Sequence, residues 1–586
     1  MTTIYIDFET FYSQSYSIKK MSTEAYIRDP QFKAHGVSVA INDKEPYWVP
    51  HQYIQQDLEA WIDAHPDAEW IAHNAQFDMA ILAWHYDIHP AVIRDTLSMA
   101  RIADYHGKHS LDVLSRQYNL GEKGDALIKT LGVEHLDPLL EQQLAAYCVQ
   151  DVELLRRLYK RLSADLQDTL GQVRYARELA LIDLTVRMFT EPVLEVNADL
   201  LRDRLPELEA ERAAALQSAG VDESVLMSNQ QFGALLAAQG VDVPATFRKT
   251  DSDFLELRDD PRVGHLVRGR LAARSMTELT RCKTFLDIGS RGLFPVALRY
   301  HGAHPGRWSG TGNEKSEGQN AQNLNRGSVL RRCLQAPEGH VLVVVDSSQI
   351  EARVLAWLAG EAELLQQFAD GEDVYVKFAE RIWPDQQIDA TRRFVGKTCI
   401  LGLGYGVGHV KLHAQVVVKQ PEATLDDAAG YVSVYRSTYT GIRNLWRTAD
   451  RMIRAMMAGE RIDWPQGIVT AFEKIRLPSG RWLHYPDLRL TGEGFEYGAK
   501  ERLYGAKLVE NIVQAIARDI VADQMLVIAQ KYRIATMTHD EIVFLAREDE
   551  AQDAFGFAQN VMRAAPKYAA GLPLSSSGGW AREYSK

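Results

Sequence analysis

The chain is poor in cysteine: four in 586 residues (Cys148, Cys282, Cys333, Cys399), with no C-x-x-C pair. That excludes a disulfide scaffold and a Cys-rich zinc site, and it suits a reducing compartment. No apolar run approaches the roughly 20 residues of a membrane span. A signal peptide is also lacking, because Ile4-Tyr5-Ile6-Asp7 reads directly as a strand. The expectation is a soluble, cytoplasmic protein without a membrane partner. Internal repeats and low-complexity segments are absent. Positive charge is in short supply, with Lys+Arg 66 against Asp+Glu 78 and a net charge of −12. Taken alone, this argues against a nucleic-acid partner, whose usual footprint is a basic domain. Apolar residues are plentiful at 46%. At roughly 100–200 residues per domain, the length predicts about three to five domains with sizeable cores.

The first 160 residues mix short strands (Ile4 to Phe8, Val37 to Ile41) with helical patterns near Asp57 to Ala64, Phe77 to His85 and Leu139 to Leu162. This is an α/β pattern. From 166 to 290 the chain reads as a charged helical arm. Strand signals return at Leu293 to Tyr300 and Val341 to Val345, followed by a helical block from Glu351 to Met457. Arg476-Leu477-Pro478-Ser479-Gly480-Arg481-Trp482 reads as a hairpin turned by Pro-Ser-Gly. A long amphipathic helix spans about Lys500 to Lys531, and a strand–turn–strand surrounds His539-Asp540-Glu541.

Asp7 and Glu9 lie two apart on a strand and so project from one face. Asn74 and Asp78 lie four apart, one helical turn, and Tyr147 and Asp151 repeat that spacing. Carboxylates from three elements are what a pair of Mg²⁺ ions needs. Two such ions about 3.5–4 Å apart generate a hydroxide and stabilise the leaving oxygen of a phosphodiester. Tyr147 is placed to orient the attacking water. Singly, an Asp-x-Glu is ordinarily a solvated face and an Asn a cap residue; the ordered set is specific. It resembles the proofreading 3′–5′ exonuclease domain of many DNA polymerases and RNase D-like enzymes, over residues 1–160.

Val343-Val344-Val345-Asp346 ends a buried strand in an acid, and Thr538-His539-Asp540-Glu541-Ile542 sets two acids between apolar residues. Acids buried between apolar strands cost several kcal/mol unless they are paired or bind a cation. Between these segments, Arg393, Lys397, Leu401 and Tyr405 are spaced by four and form one winding stripe. Two cations, an aliphatic and an aromatic suit a triphosphate and a base, since Arg grips phosphate in a fork and Lys adds a point charge. An amphipathic helix with a basic edge would look similar. However, the glycines at 402, 404, 406 and 408 each cost about 1 kcal/mol relative to Ala, which points to a helix end that bends or approaches a ligand closely.

Asp346-Ser-Ser-Gln349-Ile-Glu351, Arg393-x-x-x-Lys397-x-x-x-Leu401-x-x-x-Tyr405-Gly406 and His539-Asp540-Glu541 resemble, in order, the three polymerase motifs of family A (Pol I-like) DNA polymerases. Gly306-Arg307-Trp308-Ser309-Gly310 with Gln322-Asn323-Leu324 is similar to the upstream motif that contacts primer and template. Gln514-Ala-Ile-Ala-Arg-Asp519 resembles the palm helix. The resemblance implies an α/β multidomain chain. An RNase H-like (DnaQ-like) exonuclease domain at 1–165 precedes a right-hand polymerase: thumb 166–290, first palm part 291–352, fingers 353–499 and second palm part 500–586.

It further implies metal ligands Asp7, Glu9, Asp78 and Asp151 at one site and Asp346 and Asp540 at the other. Two Mg²⁺ ions per site are expected, with Mn²⁺ able to substitute. Lys397, Glu541 and Tyr147 would act in catalysis. Arg393, Lys397, Leu401, Tyr405, Gln349 and His539 would line the nucleotide site, with Glu351 blocking the 2′ position. Arg307, Gln322, Asn323, Gln514 and Asn74 would contact DNA, Arg307 through minor-groove acceptors common to all base pairs. The implied partners are primer–template DNA and dNTPs, and the implied state is a monomer. No processivity factor, helicase or primase partner is legible.

Leu401 departs from the Phe or Tyr of most members, which puts the usual sugar discrimination in doubt, and Glu510 stands where Asn is common. A chain that begins at the exonuclease leaves no room for an N-terminal 5′-nuclease domain. The layout resembles bacteriophage replicative polymerases, which act in a bacterial host. One subgroup of these copies genomes with 2-aminoadenine in place of adenine, and no residue of these motifs separates that subgroup. A single-subunit RNA polymerase shares the palm, but Glu351, His539-Asp540-Glu541 and the exonuclease set speak against it. A non-catalytic DNA-binding relic predicts a lost carboxylate, and none is missing.

Overall fold

Residues 2–124, 130–249, 251–274, 277–310 and 320–585 are described by the computed structural model of this chain. The N-terminal sheet comprises β1 (Thr3–Thr10), β2 (Ala34–Ile41), β3 (Tyr47–Pro50), β4 (Glu69–Ala72) and β5 (Val92–Asp95), in the order β3-β2-β1-β4-β5. β1 is the central strand, antiparallel to β2 and parallel to β4; Ile4, Ile6 and Phe8 are buried, and Asp7 and Glu9 alternate with them in its C-terminal half. Helix α1 (Ala75–His85) follows β4. Asn74 does not lie on it one turn before Asp78, as the spacing predicts. It precedes the helix in the left-handed region at φ 68, a conformation that Asn tolerates better than most residues. Its backbone N–H and that of Ala75 both donate to Asp95.

Helix α2 (Pro138–Leu170) starts from Asp137, whose carboxylate accepts from the Leu139 and Leu140 N–H groups at 2.9 Å, with Pro138 at the first position. It runs past residue 165, because apolar positions at Leu158, Leu162, Leu166 and Leu170 keep burying the same stripe. The break comes at Gly171 (φ 76), before α3 (Gln172–Thr190). A helical arm follows, with α4 (Ala198–Ala219) and α5 (Thr277–Arg291) enclosing a small helical unit. That unit has its own core of Leu226, Phe232, Leu236, Phe254 and Leu266.

The second sheet joins β6 (His340–Ser347), β7 (Arg533–Thr538), β8 (Glu541–Arg547) and β9 (Ser576–Ala581) in the order β7-β8-β6-β9, all antiparallel. β6 lies centrally, and Leu342 to Val345 are fully buried. Around it pack α6 (Ile350–Ala359), α7 (Ala390–Leu403) and α8 (Gly505–Ala529). α8 is apolar on most sides and buried along its length. It begins five residues later than expected, since Glu501–Leu503 forms a strand. The strand expected at Leu293 to Tyr300 reduces to Leu298–Arg299, with Phe294 in an isolated bridge to Leu194. The expected hairpin forms as Lys474–Arg476 paired with Trp482–His484. No helix among the described residues is long and apolar enough to cross a membrane.

Candidate active sites

β1, α1 and α2 bring Asp7, Glu9, Asp78 and Asp151 into one buried cluster. Asp78 accepts the Phe8 N–H at 3.1 Å, tying α1 to β1. Cys148, on α2, donates to the Asp7 carbonyl at 3.3 Å, and its sulfur lies within 4.8 Å of carboxylate oxygens of Asp7 and Glu9. Burial, then the Asp151 charge, pushes Asp7 up to about 7. Burial also drives Glu9 and Asp78 well above the usual carboxylate range, each pushed further by the Asp7 charge. A set of acids that resist sharing negative charge is short of cation, which is the condition for holding divalent metal. Asp151 Oδ1 and the Tyr147 hydroxyl are buried without a hydrogen-bond partner, leaving an oxygen of each for a ligand. The donors therefore fit a divalent ion.

Lys123 was not anticipated from the sequence. Its Nζ lies 2.5 Å from Asp151 Oδ2 and 5.1 Å from the Tyr147 ring centre. Burial is the largest influence and opposes its charge, but Asp151, Asp7 and Tyr147 together outweigh it and the lysine pKa is raised. Beside Glu9 opens a cavity of about 580 Å³, walled by Tyr12, Ile18, Tyr26, Phe77 and Leu131, with Lys19 and Lys20 on its lining.

In the second site Asp346 ends β6 and Asp540 lies in the turn between β7 and β8, where His539 takes φ 54. Burial, then the Asp346 charge, pushes Asp540 up to about 6. Two acids set so that the charge of one raises the proton affinity of the other fit a divalent cation, as the first cluster does. Glu541 lies directly across from Asp346, yet its oxygens are committed elsewhere. Arg331 donates to both, at 2.8 and 3.0 Å, and the Tyr584 hydroxyl to one, at 2.5 Å. Expected among the catalytic acids, Glu541 is placed instead in a buried ion pair. Arg326 lies 3.2 Å from Asp346.

Glu351, in the first turn of α6, is bonded by Arg307 and by the Tyr405 hydroxyl at 3.1 Å. Burial, then Arg307, lowers the His539 pKa beside this cluster, against the opposing charge of Glu351. Gln349 occupies the left-handed position before α6 and accepts from Arg353 at 3.3 Å. On α7, Arg393, Lys397 and Leu401 are exposed along one stripe, as their spacing predicts; the helix ends at Leu403, so Tyr405, expected as the fourth member of the stripe, lies in the turn beyond it and tucks inward. Arg393 reaches Asp373 at 2.6 Å. Gly404 and Gly406 serve close packing. A Cβ at 404 would lie 2.4 Å from Leu355, and Gly406 (φ 78) abuts Ala506.

The Arg307 loop is clamped from behind. Arg518 Nε donates to the Gly306 carbonyl at 2.9 Å and Arg481 to the Pro305 carbonyl at 2.7 Å. Both belong to a buried network with Arg174, Glu178 and Asp519. Gln322 is buried near Met537, and Asn323 is exposed, its carbonyl accepting from Arg281. Gln514 bonds Glu510 at 3.3 Å. Asn74 is exposed at the edge of the first site.

Residues 193–586 match the family described as DNA polymerase family A, and residues 4–167 match the 3′–5′ exonuclease family. The chain is similar to a DNA polymerase of Bacillus phage SP02, with 26% identity over 99% of each chain. It is also 26% identical to DNA polymerase I of Pseudomonas aeruginosa, covering 89% of this chain but 58% of that one. Against the solved polymerase domain of Pol1 from M. smegmatis, in complex with primer–template DNA and dNTP, the TM-score is 0.73 at 19% identity. That match covers 100% of this chain and 95% of the other.

Proposed function

The chain belongs to DNA polymerase family A and carries a 3′–5′ exonuclease domain, and from that premise we propose that it extends primer–template DNA with dNTPs and removes misplaced 3′ nucleotides in its N-terminal site. Likeness to a phage enzyme along the whole chain supports a replicative role in a bacteriophage, in the cytoplasm of its host. The observation that carries the reading is the placing of Asp540, in the turn between β7 and β8, beside the end of β6 that carries Asp346: its carbonyl accepts the Ser347 N–H at 2.9 Å, and the charge of Asp346 raises the proton affinity of Asp540.

Asp346 and Asp540 would hold the cations of the polymerase site, and Asp7, Glu9, Asp78 and Asp151 those of the exonuclease site. Bound Mg²⁺, two ions per site or Mn²⁺ in its place, would supply charge neutralisation and a lowered pKa for the attacking hydroxyl or water. The protein's own part is positioning and electrostatics. Arg393 and Lys397 bind the triphosphate from the exposed edge of α7, and Lys397 gives a proton to the departing pyrophosphate. Glu351, held by Arg307 and Tyr405, closes the space beside the sugar 2′ position. Glu541 acts at one remove, fixing Arg331 and the β8 end of the turn. Gln322, Asn323 and Gln514 contact primer–template, and Asn74 contacts the 3′ strand in the exonuclease. There the cavity beside Glu9 receives the frayed terminal nucleotide, and Tyr147 orients water. We read Gly171 as the hinge from exonuclease to thumb, with palm and fingers as the resemblance divides them.

Purified chain with Mg²⁺ is expected to extend a primed template, and Asp540→Ala to abolish extension while primer degradation persists. Asp7→Ala should do the converse. Extension by the Asp540→Ala variant would refute the assignment.

A further inference from the structure

We infer that Lys123 is a catalytic residue of the exonuclease, contacting the scissile phosphate once divalent cations release it from Asp151. The inference rests on the exonuclease reading and extends it to a group outside the carboxylate set. Lys123 lies on the segment between α1 and α2, not on any element that carries an acid. Nevertheless its ammonium reaches into the cluster, 2.5 Å from Asp151 and over the face of Tyr147. Its charge acts on Asp7, Glu9 and Asp151 together. Among the described residues, Asp151 has no other ion-pair partner. Lys123 is also largely withdrawn from water, its side chain 27% exposed.

A cation held among metal ligands has two consequences. While metal is absent it balances part of the negative charge. When metal binds, the acids no longer need it, and like charges separate. The phosphate entering beside Glu9 and Tyr147 then offers the ammonium its next anionic partner. In the reaction, water oxygen bonds to phosphorus and the P–O3′ bond to the penultimate nucleotide breaks. The proton lost by water ends on that 3′ oxygen, and a nucleoside 5′-monophosphate departs. Lys123 donates no proton; it offsets charge growing on the non-bridging oxygens.

The test uses the full chain in an Asp346→Ala, Asp540→Ala background, so that Mn²⁺ binding reports the exonuclease site. Lys123→Met should lower single-strand degradation kcat by about 10²-fold, as loss of one preorganised donor does elsewhere. The same variant should bind Mn²⁺ more tightly, by about three- to tenfold, because a competing partly buried ion pair is gone. Lys123→Arg should keep most of the turnover. Thermal melting checks that each variant folds. Slower turnover with tighter Mn²⁺ binding supports the inference. Slower turnover with weaker Mn²⁺ binding means a scaffold role and overturns it. Unchanged or faster turnover, whatever the affinity, overturns it as well. An Asp7→Ala control separates the two readings: if that variant still degrades DNA, the exonuclease assignment fails, and if only Lys123→Met does, the Lys123 inference fails.

Discussion

Replacing Glu178 with glutamine removes one of three acids, Glu178, Asp519 and Asp523, that balance three buried arginines, Arg174, Arg481 and Arg518. Glu178 is 1% exposed and meets Arg174 at 2.5 Å and Arg518 at 3.1 Å, while the Tyr300 hydroxyl also donates to it. Breaking a buried ion pair by removing one partner costs about 3–5 kcal/mol, since the other charge stays buried. Glutamine keeps one acceptor, so about 3 kcal/mol is expected. The effect should reach function, because Arg518 and Arg481 hold the Gly306 and Pro305 carbonyls and thereby aim Arg307. A misplacement of about 1 Å costs on the order of 10²-fold in rate. Urea unfolding followed by tryptophan fluorescence gives the first quantity, and single-nucleotide incorporation on matched and mismatched primer ends gives the second. A double variant, Glu178→Gln with Arg518→Met, restores the charge balance and should cost less than the sum of the two single changes. Additive costs, or a Glu178→Gln protein with unchanged midpoint and incorporation, would refute the reasoning.

Gly404→Ala should destabilise by about 1–3 kcal/mol through overpacking, since its Cβ meets Leu355 at 2.4 Å, whereas Gly408→Ala enters open space and should unfold at the wild-type midpoint. Arg331→Met strands a buried Glu541 and should cost about 3–5 kcal/mol; Tyr584→Phe removes only a hydroxyl donor and should cost about 1–2 kcal/mol, both by urea midpoint. For metal-free protein the sign of the pH effect follows from Asp7, raised from 3.8 to about 7. The folded form keeps a proton that the unfolded form has lost, so stability falls as pH rises from about 4 through 7. Asp540, raised to about 6, acts in the same direction. Melting in EDTA from pH 5 to 8 should show the decline, and added Mn²⁺ should cancel it. Constant melting temperatures in EDTA would contradict it.

Strands β1 and β6 were legible because each is an apolar run ending in an acid, a pattern carried by consecutive residues. The stripe on α7 was legible because its spacing matches the helix period. Lys123, Arg331 and Tyr584 were not. Each finds its acid across a long stretch of chain, and Gly-Glu-Lys-Gly around Lys123 looks like any polar loop. The Pro-Ser-Gly turn was correctly placed, but nothing local says that Arg481 beside it is 1% exposed. That depends on Asp519, 38 residues on. Helix ends were missed where tertiary burial outlasts the local signal, as at Leu170, or where a strand intrudes, as at Glu501–Leu503. Asn74 was misplaced by one element because i,i+4 spacing was read as helical when a left-handed residue opens the helix.

The acidic net charge also resolves differently from the sequence count. Residues 261–332 hold 13 Lys+Arg against 4 Asp+Glu, a local 13 − 4 = +9, so the remainder carries −12 − 9 = −21. Lys315, Glu314 and Glu317 of that stretch lie outside the described residues. Much of the surplus is already engaged: Arg262, Lys283 and Arg291 pair with Asp260, Glu209 and Glu24, and Arg270 is buried. Arg307, Arg326 and Arg331 pair with Glu351, Asp346 and Glu541. The last three sit at the polymerase site itself, where they offset acids that a cation and a triphosphate would otherwise balance. A salt titration of DNA binding counts only cations that exchange counterions for phosphates. Its slope should therefore fall well short of the 13 in that stretch, and should steepen when divalent cation releases Arg326 from Asp346.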